Sequence, residues 1–153
     1  MAIYLVQHGI SLAKDVDPER GLSVEGAQIV ERIARTVKDH KLPVKKIVHS
    51  GKKRAEQTAD IFSQYLQTVE VVQQGPGLSP MDDVIAFAQK LQPESETMYV
   101  GHLPFMEKLT GYLTTGNENK PVFTFQNGGI VCLDKSPKDS NWQIKWSLMP
   151  NIG

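Results

Sequence analysis

Short, β-favouring apolar runs alternate with stretches of helical period along most of the chain, and this alternation restricts the fold more than any other feature. Ile3-Tyr4-Leu5-Val6, Lys46-Ile47-Val48-His49, Val69 to Val72 and Thr97-Met98-Tyr99-Val100 read as buried strands. Between the first two, Ser23 is placed to cap a helix with Glu25 in its first turn. Ile29, Ile33 and Val37, flanked by Val30 and Ala34, form one apolar stripe that ends near His40, Lys41 and Pro43. A second helix carries Thr58, Ile61, Phe62, Tyr65 and Leu66 on one face. A third runs from about Asp82 through Val84, Phe87, Ala88 and Leu91 and is closed by Pro93. Pro104 suits the first turn of a fourth, whose inner face is Phe105, Met106, Leu109, Tyr112 and Leu113. Val122 to Phe125, Gly129 to Leu133 and Trp142 to Leu148 are predicted as further β structure. Strands joined through helices of this length pair mainly in parallel, because the crossover carries the chain back to the starting edge. The expected architecture is α/β: a three-layer α/β/α sandwich with a mostly parallel central sheet, one domain spanning 1–153.

Length and charge limit what such a domain can be for. A chain of 153 residues buries about two-thirds of its unfolded surface, enough for a self-sufficient core. Lys+Arg and Asp+Glu balance at 17 each, so no global field attracts nucleic acid or an anionic membrane, and any anion site must be local. The single cysteine, Cys132, lies in the apolar run Ile130-Val131-Cys132-Leu133 and reads as a core thiol. The opening apolar run is too short to span a membrane and lacks the flanks of a targeting segment, so a cytoplasmic protein is expected. A monomer is the favoured state.

Ligands of parallel sheets bind outside the carboxyl ends of the strands. Three of the four histidines stand at such ends: His8 after the first strand, His49 after the second, His102 after the fourth. A lone histidine is usually structural, but three at one sheet edge point to a shared site. His40 reads instead as a helix C-terminal residue complementing the dipole.

Lys52, Lys53 and Arg54 crowd the start of the second helix, where the dipole is already positive. A bound anion relieves that crowding. Lys52 and Lys53 read as a solvated basic turn, whereas Arg54 shares the helix face of Thr58 and Ile61 and is assigned to the pocket. Imidazoles and a guanidinium beside helix N-termini, without a thiolate or carboxylate cluster, make a poor metal site and a good phosphate site. Neither a GxGxxG turn nor a GxxxxGK[ST] loop is present to cradle phosphate with glycine amides. The chemistry these residues point to is phosphoryl transfer through an imidazole, with no metal and no cofactor.

Gln7-His8-Gly9, the segment from Ser50 through Arg54-Ala55-Glu56-Gln57-Thr58-Ala59, and Gly101-His102-Leu103-Pro104 resemble the three signature segments of the histidine phosphatase (phosphoglycerate-mutase-like) superfamily. Leu22-Ser23-Val24-Glu25-Gly26, Leu78-Ser79-Pro80 and the stretch from Pro121 through Trp146 extend the resemblance to its small SixA-type phosphohistidine phosphatases, over essentially the whole chain.

The resemblance implies that His8 is the nucleophile that becomes phosphorylated, that Arg54 binds the transferring phosphoryl oxygens, and that His102 stabilises their charge. It also marks a departure. Gln7 stands where the family has an arginine, replacing one cationic clamp in the phosphate-binding set by a neutral amide. Larger members use a carboxylate acid that the small subfamily lacks at the usual position; here Asp82 and Asp83 are the nearest candidates, with helix-terminal carboxylates as their alternative reading. A labile P–N bond relaxes the need for such an acid. The function implied is a phosphohistidine protein phosphatase acting on a histidine-phosphorylated protein such as a phosphotransfer domain. The alternatives are a phosphatase for small phosphoesters and, because of Gln7, a non-catalytic module that binds phosphoproteins.

Overall fold

The computed structural model describes residues 1–138 and 140–152. In chain order it contains β1 (Ile3–Gln7), α1 (Val24–Asp39), β2 (Lys46–His49), α2 (Lys53–Tyr65), β3 (Val71–Gln74), α3 (Val84–Ala88), a single 3₁₀ turn at Pro93–Ser95, β4 (Thr97–Gly101), α4 (Phe105–Thr115), β5 (Ile130–Lys135) and β6 (Trp142–Leu148). The six strands form one sheet in the order β3-β2-β4-β1-β5-β6. β3, β2, β4 and β1 pair in parallel; β5 and β6 add two antiparallel strands at the other edge.

All five residues of β1 are buried, which is why it reads as an unbroken apolar run: a central strand covered on both faces has no solvent side to make polar. Successive side chains then divide between two cores. Tyr4, Val6, Ile47, Met98 and Val100 pack beneath α1 and α2, through Val30, Ile33 and Val37 of the first helix and Ala55, Ala59 and Phe62 of the second. Ile3, Leu5, Val48 and Leu133 pack on the opposite face against Val84 of α3 and Phe105, Met106 and Leu109 of α4. The layers are those of an α/β/α sandwich. Cys132 is a buried member of the first core, and burial pushes its thiol up to about 11. Among the described residues, no helix is long and apolar enough to cross a membrane.

Local signals located the ends of α1. Ser23 Oγ accepts the Gly26 N–H at 2.9 Å as the N-cap, and His40 stands at the C-cap. Elsewhere tertiary packing moved the boundaries. β3 lies two residues beyond the predicted Val69 to Val72, because its register with β2 pairs Lys46 with Val71 and His49 with Gln74; Val69 packs under the first core instead. α3 is five residues long, shorter than predicted: Asp83 caps it, and Gln92, held extended at φ −133° before Pro93, cannot continue a helix. The buried stripe of α2 is Ala55, Thr58, Ala59 and Phe62, with Ile61 and Tyr65 only half-buried at its border. Val122 to Phe125 is not a strand; the Phe125 N–H goes to the Glu107 carboxylate of α4 at 3.0 Å, so its hydrogen bonding is met by a helix side chain.

Candidate active site

The carboxyl ends of β1, β2 and β4 meet the N-termini of α1, α2 and α4 at one edge of the sheet. His8 leaves β1 with its backbone held on every side. Its N–H donates to the Gly101 carbonyl (3.0 Å), its carbonyl accepts from Asn127 Nδ2 (3.0 Å), and the next N–H, of Gly9, donates to Thr58 Oγ1 (3.0 Å). Residue 9 must be glycine: a Cβ there would sit 2.8 Å from Val30 Cγ2 and 3.0 Å from Leu22 Cδ2. The close approach brings α1 against the turn, and the turn aims the ring.

His8 Nδ1 lies 2.7 Å from the Gly9 carbonyl oxygen. A carbonyl only accepts, so Nδ1 carries the proton and Nε2 keeps its lone pair. The ring of His102, which follows β4 and is 2% exposed, stands with its centroid 4.9 Å from that of His8, the planes tilted by 50°. Ser50 Oγ is 2.6 Å from His102 Nε2 and sets that ring's orientation. Burial, partly offset by the Gly9 hydrogen bond and reinforced by Arg54 and Arg20, brings His8 down to about 4. Burial, then the charges of His8, Arg54, Lys52 and Arg20, bring His102 down to about 3. Both imidazoles are therefore neutral at pH 7, and His8 presents a free nucleophilic Nε2.

Buried polar side-chain atoms nearly always have partners. Among the described residues three do not: Gln7 Oε1, Arg54 Nε and His102 Nδ1. They come from the end of β1, the first turn of α2 and the end of β4, and so converge on the same edge. A site that leaves its own polar atoms unpaired is complementary to something polar that is brought to it. Beside it opens a cavity of about 660 Å³ lined by Lys14, Arg20, Lys52, Lys53 and Arg54 and also by Glu19 and Glu56.

The structure thus brings together Gln7, His8, Arg54 and His102. The third histidine of the predicted cluster does something else: His49 is buried, and its Nδ1 accepts the Gly51 N–H at 3.1 Å, shaping the turn into α2. Lys53 is not simply solvated; its Nζ pairs with Asp17 at 3.2 Å and Glu19 at 3.4 Å. Lys52 occupies the N-cap of α2 without a side-chain cap bond. Asp82 accepts the Ser79 N–H at 2.9 Å, and Asp83 accepts those of Ile85 and Ala86. Among the described residues neither carboxylate hydrogen-bonds to the histidine pair or to Arg54. The Ser50 hydroxyl, at the head of the second signature segment, belongs to the site, as do Arg20 and Asn127, which carry no pattern of their own in the sequence; all three lie in irregular segments.

No protein-family model matches the chain. It is 29% identical over 151 residues to the phosphohistidine phosphatase SixA of Escherichia coli K12, covering 94% of this chain and 93% of that one. Its backbone matches a solved SixA structure complexed with tungstate at a TM-score of 0.84, with 21% identity over 98% of this chain and 97% of that one. It also matches a mycobacterial glucosyl-3-phosphoglycerate phosphatase solved with VO3 at a TM-score of 0.65, with 15% identity over 95% and 97% of the two chains. The fold is that of the phosphoglycerate-mutase-like histidine phosphatases, and the sequence is similar to a phosphohistidine phosphatase. The similarity to SixA runs along 94% of the chain.

Proposed function

We propose that the chain removes phosphoryl groups from phosphohistidine in partner proteins, phosphotransfer domains being the expected kind, through a phospho-His8 intermediate. The observation that carries this is the Nδ1–Gly9 hydrogen bond, which leaves a neutral Nε2 at the edge where Arg54 Nε and His102 Nδ1 are unpaired. Nε2 attacks phosphorus, and the P–N bond to the substrate imidazole breaks. The departing ring takes a proton from solvent. Arg54 holds the phosphoryl oxygens by charge-assisted hydrogen bonds and His102 supports the charge they gather. Water then attacks phospho-His8, releasing inorganic phosphate and restoring the imidazole.

This route asks for no carboxylic acid. Asp82 and Asp83 are engaged with backbone amides, which suits a labile P–N bond better than an alkyl phosphate ester. One feature favours a second reading: Gln7 is 8% exposed and uncharged where the resemblance calls for arginine, as in a module that binds phosphoproteins without turning them over. The two separate in a single experiment. A phosphorylated histidine phosphotransfer domain is mixed with the protein and quenched under alkaline conditions, because phosphohistidine is acid-labile. Mass spectrometry then locates the phosphoryl group. Label on His8, lost in His8→Asn, together with released phosphate, is the expected result. Stable binding of the phosphorylated domain with neither label nor release would establish the binding module instead.

A further inference from the structure

With an amide at the end of β1, Arg54 is left as the one guanidinium that a strand or helix aims at the phosphoryl position. The structure supplies another from a different direction. Arg20 lines the same 660 Å³ cavity as Arg54. Its loop is tied down firmly: the Asp17 carboxylate accepts from the N–H groups of Glu19 (3.1 Å) and Gly21 (2.9 Å) and from Lys53 Nζ (3.2 Å). Leu12 N–H reaches the Gly21 carbonyl at 2.8 Å, and Leu22 N–H reaches Gln57 Oε1 at 2.7 Å. Lys53 also bridges to Glu19 at 3.4 Å, so both acidic residues of the loop are fastened to the first turn of α2.

Inside this clamp Arg20 adopts φ 53°, a left-handed backbone that disfavours any side chain except glycine's. A glycine there would be easier to fold around. The guanidinium itself is little used by the resting protein. Its one hydrogen bond among the described residues is a long one, 3.4 Å, from Nη2 to Ser11 Oγ. Among the described residues, neither Arg20 nor Arg54 has a carboxylate within ion-pair distance; Glu19, which shares the cavity, is taken by Lys53. Two unanswered guanidinium groups facing one cavity repel each other until an anion lies between them.

We propose that Arg20 is the second cation on the substrate phosphoryl group, supplying from the Asp17–Gly21 loop the charge that Gln7 cannot supply from β1. This rests on the phosphatase reading for its substrate, but not for its test. The influence of Arg20 on His8, Arg54 and His102 alike agrees with its placement at their common edge. The anion then sits between α2 and the loop, gripped by Arg54 from one side and Arg20 from the other, while the neutral amide of Gln7 contributes hydrogen bonding alone. Fastening the loop through Lys53 makes the second clamp part of the same rigid turn as the first.

Calorimetric titration of the full chain with tungstate decides the matter, read beside its thermal unfolding. Arg20→Gly is expected to weaken tungstate by roughly 10-fold or more, because a charge-assisted hydrogen bond to the anion is removed, while the melting temperature stays level or rises as the left-handed strain is relieved. Lys14→Ala and Lys52→Ala, changes to other cations of the cavity, are expected to cost less than about threefold. Adding Gln7→Arg to Arg20→Gly is expected to restore most of the affinity, because a guanidinium returns to the phosphoryl group from the strand. Affinity unchanged in Arg20→Gly overturns the proposal. Equal losses in the Lys14, Lys52 and Arg20 variants also overturn it, since they describe a diffuse basic surface. Failure of the phosphatase reading looks different: no phosphoryl group on His8 in the unmodified chain, with the dependence of tungstate on Arg20 intact.

Discussion

Acid should weaken this protein through its histidine pair. His8 and His102 ionise in the unfolded chain near the ordinary 6.5, but in the folded state burial brings them to about 4 and about 3. Between pH 6.5 and those values the unfolded chain holds protons that the folded protein refuses, so stability rises with pH across the window and is lost as pH falls through it. At pH 5 both folded rings are still neutral and the unfolded ones are almost fully charged. The loss is then set by the distance from 6.5, about one and a half units at about 1.36 kcal/mol per unit, or about 2 kcal/mol for each histidine. Together they remove about 4 kcal/mol between pH 7 and pH 5, a large part of a domain's usual 5–15 kcal/mol, and about 8–16 °C of melting temperature. Urea unfolding of the unmodified chain and of a His8→Asn/His102→Asn variant, at pH 7, 6 and 5, isolates the pair, because every other group contributes to both. The unmodified chain should lose about 4 kcal/mol more than the variant over that range. Saturating phosphate should narrow the gap, because an anion beside the rings favours their protonated forms. Parallel curves for the two proteins would refute the reasoning: the rings would then have to titrate in the fold as they do in the open chain.

Four further outcomes test the site and the architecture beneath it. Gly26→Ala would drive a methyl into the Ile10 carbonyl, the same oxygen that accepts the Ser23 N–H at 3.0 Å; thermal unfolding should show a loss of about 1–3 kcal/mol or more, with α1 pushed off the turn behind His8. Thr58→Val leaves the buried Gly9 N–H without its acceptor and should cost about 1–3 kcal/mol, visible as faster hydrogen exchange at that amide. Thr110→Val should be far milder, since its hydroxyl only supplements a carbonyl already inside α4. Arg54→Ala should weaken inorganic phosphate by roughly 10- to 100-fold in calorimetry, against less than about threefold for Lys52→Ala.

The departure at position 7 gains its meaning from its surroundings. Gln7 is held between structural demands on both sides: Gly128 N–H donates to its carbonyl at 2.9 Å, and in the β1–β4 register it faces Gly101, next to His102. Its backbone therefore still fastens the β1 terminus to the loop before β5 and to β4. What differs is the end of the side chain, a neutral amide with a buried, unpaired oxygen. The side chain is uncharged where the resemblance implies an arginine, while the backbone frame that aims His8 is in place.

What local sequence could determine, it did. A strand buried on both faces must be apolar throughout, so β1, β2 and β4 were visible as runs. A capped helix with one wet face must repeat every three to four residues, so α1 and α4 were visible as stripes. Histidines following such runs fall at the carboxyl edge wherever the helices pack. Local pattern carries no information about partners far along the chain. It could not show that β3 would slide two residues to satisfy β2, or that the Phe125 N–H would be met by Glu107 instead of a strand. It could not tell which of three equivalent-looking histidines would face each other: His8 and His102 do so because β1 and β4 are neighbours, while His49, on the next strand over, bonds into its own turn. Arg20 and Asn127 were silent for the same reason. Their places depend on loops clamped by Lys53 and by the backbone of His8, pairings 36 and 119 residues apart, and only a folded chain brings such groups within hydrogen-bonding distance.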